Sequence, residues 1–296
     1  MPVSVLIPAY NASTTLARAL DSVAAQAMPG LDVVVVDDGS ADATAAIAQA
    51  HPLRARVIRH PANRGSSAAL ATALASARHD AVAFLDADDE WLPGKLEAQL
   101  AVFDPATSLV ATGFAHIASD GCQLWTWGDE PAARAASQGG ADFWKALLEH
   151  SMIAKPSVLT RASAIRAAGG FDPALTVAED QDMWIRLSLA GPARYLPQVL
   201  LRVHGQPAGL GRRQTAPDRD FVLPMVERWL HRLADRLTPE ETRCIRARRY
   251  GAAARNLAGA GRVREALPFA RVAVANGAGW GELVRVLARG VVLGAG

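Results

Sequence analysis

Two acidic clusters are the residues of this sequence best suited to chemistry. Three carboxylates fall within four residues at Asp86-Ala87-Asp88-Asp89, and a second pair stands at Asp37-Asp38, before Gly39 and Ser40. Carboxylates this close repel one another unless a cation neutralises them, and the magnesium or manganese of diphosphate chemistry is such a cation. Each cluster taken alone is equally typical of a turn that caps a helix, so both interpretations stay open for a single motif.

Both clusters follow short apolar runs that predict buried parallel strands. Helix-forming stretches alternate with these runs, which favours an open, mostly parallel α/β sheet with helices on both faces. Ligands bind such sheets beyond the carboxyl ends of the strands, so we expect the two clusters to meet at one edge. The predicted strands are 3–7, 32–36, 56–58 and 81–85, and the predicted helices are 16–23 with Gly30 as C-terminal cap, 40–50 capped by Ser40, and 66–77.

Beyond Leu92 the pattern is mixed and then becomes helical. The later predicted elements are a helix to Phe103, strands at 109–114 and 194–203, helices after Thr160 and at 179–189, and loops at 119–142 and 204–218. Thr238, Pro239 and Glu241 have the capping-box spacing of a helix start, and Gly259 to Gly261 predicts the turn of a helix pair. We therefore predict an α/β domain over 1–218 and an Arg-rich helical region over 219–296.

Composition excludes several classes of protein. The chain has 296 residues, of which 50% are hydrophobic and 20% charged, so disordered and collagen-like chains are excluded. The opening residues, Met1 to Ala17, lack a basic segment before their apolar stretch, which predicts neither a signal peptide nor a membrane span. Cys122 and Cys244 lie far apart, so we expect no disulfide scaffold or zinc site and a reducing cytoplasm. No G-x-G-x-x-G follows the first strand and no G-x-x-x-x-G-K-[ST] is present.

Five motifs in order resemble the family 2 inverting glycosyltransferases of GT-A fold, over roughly residues 3 to 205. Each motif alone is weak, but their order and spacing together are specific. The motifs are Val5-Leu6-Ile7-Pro8-Ala9-Tyr10-Asn11, Val36-Asp37-Asp38-Gly39-Ser40, Asn63-Arg64-Gly65, Phe84-Leu85-Asp86-Ala87-Asp88-Asp89, and Gly170-Phe171-Asp172 followed by Glu179-Asp180-Gln181-Asp182.

The resemblance implies a role for residues of each motif. Asp88 is implied as the main protein ligand of Mn²⁺ or Mg²⁺, with His204 as a further ligand. Asp180, in the E-D-x-D position, is implied as the base that deprotonates the acceptor hydroxyl. The alternative for Glu179, Asp180 and Asp182 is that they only satisfy the N-terminal dipole of the helix that follows. The residues implied to hold the nucleotide sugar are Ala9, Tyr10, Asp38 near the base, Arg64, Asp86 near the ribose or metal, Asp89 and Trp91 beside the sugar, and Arg212 and Arg213 over the diphosphate. An ordinary half-buried aromatic side chain is the alternative for Trp91, and plain solvated side chains are the alternative for His204, Arg212 and Arg213.

The resemblance therefore predicts a metal-dependent, inverting glycosyltransferase that uses a nucleotide-diphosphate sugar, most simply a UDP-sugar. The Q-x-x-R-W pattern of processive synthases is absent from the sequence, so we expect one sugar per encounter. The expected acceptor is a hydroxyl of a bacterial surface glycan or of its lipid-linked precursor, and no nucleic-acid partner is expected. A non-catalytic nucleotide-sugar or glycan-binding protein of the same fold is the alternative, against which the presence of Asp88 and Asp180 argues.

The net charge of +2 conceals an asymmetry between the two predicted regions. Residues 1–218 carry 17 basic and 22 acidic side chains, whereas residues 219–296 carry 14 arginines and 7 acidic side chains. Such a region suits an anionic surface, although a solvated helical face explains it equally well. We therefore expect a cytoplasmic protein that binds peripherally to the inner face of the cell membrane. Leu283, Val286, Leu287 and Val291 form an apolar stripe that either enters this interface or packs on the protein.

Overall fold

The computed structural model describes most of the chain. The described residues are 1–118, 121–128, 142–150, 153–172, 174–175, 177–205, 218–281 and 284. They divide into two compact units, of which the first lies within 1–147 and 152–205 and the second within 148–151 and 206–296.

The first unit begins with alternating strands and helices, as the apolar runs predict. Strand β2 is buried along its whole length, which explains why its sequence is a continuous run of valines between two aspartates. Helix α1 buries one face through Leu16, Ala19, Leu20 and Val23, at helical spacing. The elements are β1 (Val3–Ala9), α1 (Leu16–Ala24), β2 (Asp32–Asp37), α2 (Thr44–Ala50), β3 (Arg56–Arg59), α3 (Ser66–Ser76) and β4 (Ala81–Phe84).

The remaining elements of this unit extend the sheet. They are β5 (Glu90–Trp91), α4 (Lys95–Leu100), β6 (Leu109–Ile117), β7 (Gln123–Trp127), α5 (Phe143–Glu149), a 3-10 helix (Lys155–Ser157), β8 (Leu159–Arg161), α6 (Ala162–Ala167), α7 (Glu179–Ala190) and β9 (Ala193–His204).

Among the described residues, nine strands form one sheet in the order β3-β2-β1-β4-β8-β6-β9-β5, with β7 paired to β6. The four strands β3, β2, β1 and β4 are parallel, and the pairs beyond β4 are mixed. Parallel neighbours end at the same edge of a sheet, so the segments after β1, β2 and β4 lie side by side. The predicted α/β class is confirmed.

Several boundaries differ from the sequence prediction, and the predicted loop at 119–142 contains strand β7 because Gln123–Trp127 pairs with β6. Helix α1 ends at Ala24, so Gly30 is not its cap and instead forms a turn before β2 with φ of 75°. Helix α2 begins at Thr44, because the Ser40 hydroxyl accepts the N–H of Asn11 instead of capping a helix. The stretch after Leu92 begins its helix at Lys95, because Glu90 and Trp91 pair with Arg202 and Leu201 of β9.

The described part of the second unit is helical. Its elements are a π-helix (Asp218–Val222), α8 (Leu223–Arg232), α9 (Pro239–Gly259) and α10 (Val263–Ala275). The capping box is confirmed, since Thr238 Oγ1 accepts the N–H of Glu241 and Glu241 accepts the N–H of Thr238. Within the described residues, no helix is both long and apolar enough to cross a bilayer.

Candidate active site

The acidic turn after β4 is held from three directions. The N–H of Asp89 donates to the carbonyl of Asp86 at 3.0 Å, which closes the turn. Arg18 of α1 donates from Nη2 to the carbonyl of Asp88 at 2.5 Å, and the N–H of His204 at the end of β9 donates to Oδ1 of Asp89 at 3.0 Å. Asp86 and Asp88 thus sit, half-buried, on a rigid turn at the edge of the sheet.

A lysine that sequence reasoning missed neutralises part of this turn. Nζ of Lys155, in the 3-10 helix before β8, lies 2.8 Å from Oδ1 of Asp86. Burial by itself would lower the pKa of Lys155, but the charges of Asp86, Glu179 and Asp180 raise it. One signal was available in the sequence: only 3 of the 31 basic residues are lysines, and Lys155 is one of them.

The acidic start of α7 lies beside the same turn. Phe84 at the end of β4 contacts Trp184 of α7, with ring centroids 5.5 Å apart, and both rings pack edge-on against Phe171. This aromatic cluster fixes the helix against the strand that carries Asp86. Helix α7 therefore presents Glu179 and Asp180 to the carboxyl end of β4.

The three acidic residues of this helix start have different partners. Asp182 forms an ion pair with Arg186, whose guanidinium also donates to the carbonyls of Ala168 and Gly170. Asp180 is half-buried, and its Oδ1 accepts the N–H of Gln181 at 2.7 Å. Asp182 thus holds the turn before the helix, whereas Asp180 faces the acidic turn.

Electrostatics distinguishes the carboxyl groups of the site. Burial raises the pKa of Asp180, and the charge of Asp86 adds to this, while Lys155 opposes it. Burial and the charge of Asp180 raise the pKa of Glu179 to about 7. Burial also raises the pKa of Asp89, together with the charges of Asp86 and Asp88. The site is thus a concentration of negative charge with Lys155 as a neighbouring cation.

The second acidic motif builds the loop beside the first. The Asp38 carboxylate accepts the N–H groups of Arg64 and Gly65 at 2.8 to 3.1 Å and lies 2.6 Å from Nδ1 of His60. A carboxylate offers about four acceptor positions, and these contacts take most of them. Asp38 therefore fixes the backbone that carries the exposed side chain of Arg64.

Gly39 allows this loop to close. Its φ is 74°, and a Cβ there would come within 2.5 Å of the carbonyl carbon of Ala62. Next to Gly39, the N–H of Asp38 donates to the carbonyl of Ala9. Ala9 is a buried residue, 3% exposed, whereas the neighbouring Tyr10 is 51% exposed. The first three motifs therefore meet at one place, with the Tyr10 ring open to solvent.

Two of the predicted sugar-binding residues lie below the surface instead. Asp89 is 4% exposed and its carboxylate holds the end of β9. Trp91 is 1% exposed, donates from Nε1 to the carbonyl of Pro156, and has the Lys95 ammonium 4.2 Å above its ring. We therefore reassign both to the frame of the site. Arg212 and Arg213 lie outside the described residues.

The residues predicted to bind metal suit a hard divalent cation. Asp88 supplies a carboxylate, and Nε2 of His204 lies 3.3 Å from Oε2 of Glu90, an arrangement common for the second nitrogen of metal-binding histidines. Among the described residues, no three His, Cys, Asp or Glu side chains are grouped so as to hold a metal ion by themselves. A metal here would complete its shell with donor oxygens.

Known proteins are similar to this chain in sequence or in fold. The model described as "Glycosyl transferase family 2" matches residues 4–164. A pre-mycofactocin glycosyltransferase of Mycobacterium tuberculosis (strain H37Rv) is 36% identical over 210 residues, which cover 67% of this chain and 42% of that protein. This chain therefore spans less than half the length of that relative.

Two solved structures show the fold. TarS 1-349 of S. aureus in complex with UDP-GlcNAc has a TM-score of 0.57 at 16% identity, covering 93% of this chain and 89% of that chain. The mannosyltransferase PcManGT of Pyrobaculum calidifontis, in complex with GDP-Man and Mn²⁺, has a TM-score of 0.56 at 20% identity, covering 98% and 86%. The predicted GT-A fold is confirmed. With more than half of its residues matched by the family model, the chain belongs to glycosyl transferase family 2.

Proposed function

We propose that this protein is a metal-dependent, inverting, non-processive glycosyltransferase that uses a nucleotide-diphosphate sugar. The observation that carries the proposal is the meeting of the Asp86-to-Asp89 turn with the acidic start of α7, where Asp180 experiences the charges of both Asp86 and Lys155. A donor-binding turn and a base are the two groups that a direct displacement at the anomeric carbon requires.

In the proposed reaction, the acceptor hydroxyl oxygen attacks the anomeric carbon while the bond from that carbon to the β-phosphate oxygen breaks. The Asp180 carboxylate takes the hydroxyl proton, and the nucleoside diphosphate leaves with the bonding electrons. A divalent metal held by Asp88 and His204 would stabilise the charge of the diphosphate. Inversion follows because the acceptor enters on the face opposite to the leaving group.

For the nucleotide, we propose that Tyr10, Arg64 and the Asp38 loop line its site. Ala9 and Asp86 would contact the donor between that loop and the metal. We assign Arg212 and Arg213 to the diphosphate from sequence alone. We propose UDP as the nucleotide because one neighbour of the same fold binds UDP-GlcNAc, although the other binds GDP-Man.

The proposed acceptor rests on the family resemblance, and the proposed cellular place rests on the cysteine content and on the charge of residues 219–296. We propose a hydroxyl of a bacterial surface glycan or of its lipid-linked precursor as acceptor, modified in the cytoplasm at the inner face of the membrane. Residues 1–218 would then carry the catalysis and residues 219–296 would form an appendage.

A thermal-shift screen tests the proposal. UDP-, GDP- and dTDP-sugars are each added with and without MnCl₂, at concentrations up to 1 mM. A ligand at 100 times its dissociation constant stabilises the folded protein by about 2.7 kcal/mol. We expect one nucleotide to raise the melting temperature, and to do so more strongly with Mn²⁺. No stabilisation by any of them, or stabilisation that is equal with EDTA, would contradict the proposal.

A further inference from the structure

Lys155 occupies an unusual position between the two halves of the proposed site. Its side chain is 11% exposed, and Nζ lies 2.8 Å from Oδ1 of Asp86. An ammonium group has three N–H donors, and within the described residues Asp86 is the partner of one of them. The charges of Glu179 and Asp180 at the start of α7 also act on it. The Lys155 ammonium therefore acts both on Asp86, which is proposed to contact the sugar donor, and on Asp180, the proposed base.

The ammonium is held in place by a buried frame. Lys155 is the first residue of a 3-10 helix, and two buried side chains bind the carbonyl groups of that helix. Trp91 donates from Nε1 to the carbonyl of Pro156 at 2.9 Å, and Gln99 donates from Nε2 to the carbonyl of Ser157 at 2.8 Å. Gln99 is itself held by Nζ of Lys95 at 2.8 Å, and all three supporting side chains are at most 1% exposed. A frame this well packed fixes the base of the lysine side chain.

We propose that Lys155 is a positioning residue of the glycosyl transfer: its ammonium fixes the Asp86 carboxylate beside the sugar donor and places one positive charge between that turn and the acidic start of α7. This inference rests on the proposed function, because it assigns a role toward the base of that reaction. Lys155 neither exchanges the transferred proton nor contacts the reacting atoms.

The charges that face Asp180 give the direction of the effect. Burial and the Asp86 charge raise the pKa of Asp180, Lys155 lowers it, and the neighbouring Glu179 adds a further acidic group. Asp182 is already paired with Arg186 on the same helix. Removal of the Lys155 charge would therefore raise the pKa of Asp180, so that a smaller fraction is ionised near neutral pH. The acid limb of the rate profile would move to higher pH.

The experiment measures how the rate depends on pH in the parent and in Lys155→Met. UDP release is followed from UDP-glucose and UDP-GlcNAc, and GDP release from GDP-mannose, with Mn²⁺ and with water as acceptor, between pH 5 and 9. We expect the acid limb of Lys155→Met to move up by about one pH unit, which lowers kcat on that limb by up to about tenfold. Lys155→Arg keeps the charge and is expected to retain the parental acid limb.

Asp86→Asn provides a second arm that does not depend on the folding of Lys155→Met. It removes a charge that raises the pKa of Asp180, so its acid limb is expected to move to lower pH. Circular dichroism melting shows whether each variant is folded.

The outcomes separate the inference from the proposed function. Lower activity in folded Lys155→Met with an unchanged acid limb would overturn the inference and leave a structural role for Lys155. An acid limb that stays in place in Asp86→Asn would also count against it. A parent that releases nucleotide from none of the sugars would overturn the proposed function, and the inference with it.

Discussion

At the scale of single residues, the carboxylates of the site are divided between structure and chemistry. Asp182 and Asp89 are committed to Arg186 and to the backbone of His204, and Asp38 is committed to the loop around Arg64. Asp86, Asp88 and Asp180 remain at the edge of the sheet, where the proposed reaction needs them. Mutations within one motif should therefore differ in whether they lower stability or activity.

Asp180→Asn is expected to bind the donor with parental affinity but to transfer sugar at least about 100-fold more slowly, the usual range for the loss of a positioned base. Single-turnover nucleotide release separates binding from chemistry. If Asp180 only satisfied the helix dipole, the variant would retain activity within a few-fold and lose at most about 1 kcal/mol of stability. That result would move the base elsewhere.

Asp88→Ala is expected to lose Mn²⁺-dependent UDP binding while its melting temperature stays within a few degrees of the parent, because the half-buried side chain lies on a turn outside the core. Calorimetry of UDP with and without Mn²⁺ measures this. The matched control is Asp235→Ala, which removes an exposed carboxylate from the second unit. Equal Mn²⁺-dependent affinity in both variants would exclude Asp88 from the metal site.

At the scale of elements, glycine conformation controls how the first three motifs meet. Gly39→Ala is expected to lower the free energy of unfolding by about 3 kcal/mol, since it adds strain at φ of 74° and a clash with the Ala62 backbone. Gly30→Ala is the control, because its φ is 75° but nothing lies within 4 Å, and about 1 kcal/mol is expected. Urea denaturation compares the two. An equal loss in both would show that the Ala62 contact is unimportant.

The sequence predicted the strands whose own residues favour a strand, and it missed strands that depend on pairing with distant segments. The six strands that the sequence predicted begin within one residue of the observed β1 to β4, β6 and β9. Four of them, β1, β2, β4 and β6, are apolar runs that are buried along nearly their whole length. Strands β5, β7 and β8 were missed. Strands β5 and β8 have only two or three residues, which carry no periodicity, and β7 lies in the stretch 119–142 that was predicted as a loop but pairs with β6. The E-D-x-D helix was predicted from its own residues.

Within the site, the motifs identified Asp86, Asp88 and Asp180. Contacts between residues distant in the sequence determine which other side chains surround them. The resemblance implies that Trp91 lies beside the sugar, yet its ring is 1% exposed and lies under the Lys95 ammonium. Lys155 follows no motif and meets Asp86 only because β8 pairs with β4. Such contacts between residues about 70 positions apart are not readable from spacing.

At the scale of the whole molecule, the Arg-rich region is the feature with no role in the chemistry. Several of its described arginines pair with acidic neighbours, as Arg246 does with Glu227 and Arg262 with Glu265. The apolar stripe at Leu283, Val286, Leu287 and Val291 lies outside the described residues. Residues 219–296 carry 14 arginines but 7 acidic side chains, so such pairs cannot neutralise all the arginines. Binding to an anionic surface stays our prediction for this region.

Vesicle co-sedimentation tests this prediction. The protein is expected to sediment with anionic vesicles at low salt and to be released at high salt, because a polybasic segment gains about 1 kcal/mol per basic residue near such a surface and the attraction is screened beyond a Debye length. Neutral vesicles of the same size serve as control. Equal binding to both kinds, or none at low salt, would leave the region as a packing or oligomerisation element.

The most direct test of the central claim is the stereochemistry of the first product. The protein is incubated with Mn²⁺ and with the α-linked nucleotide sugar that it hydrolyses fastest, and the anomeric proton of the released sugar is followed by NMR before mutarotation. We expect the β anomer to appear first in the parent and to be absent over the same interval in Asp180→Asn. The α anomer as first product, or equal rates in the two proteins, would contradict an inverting reaction with Asp180 as its base.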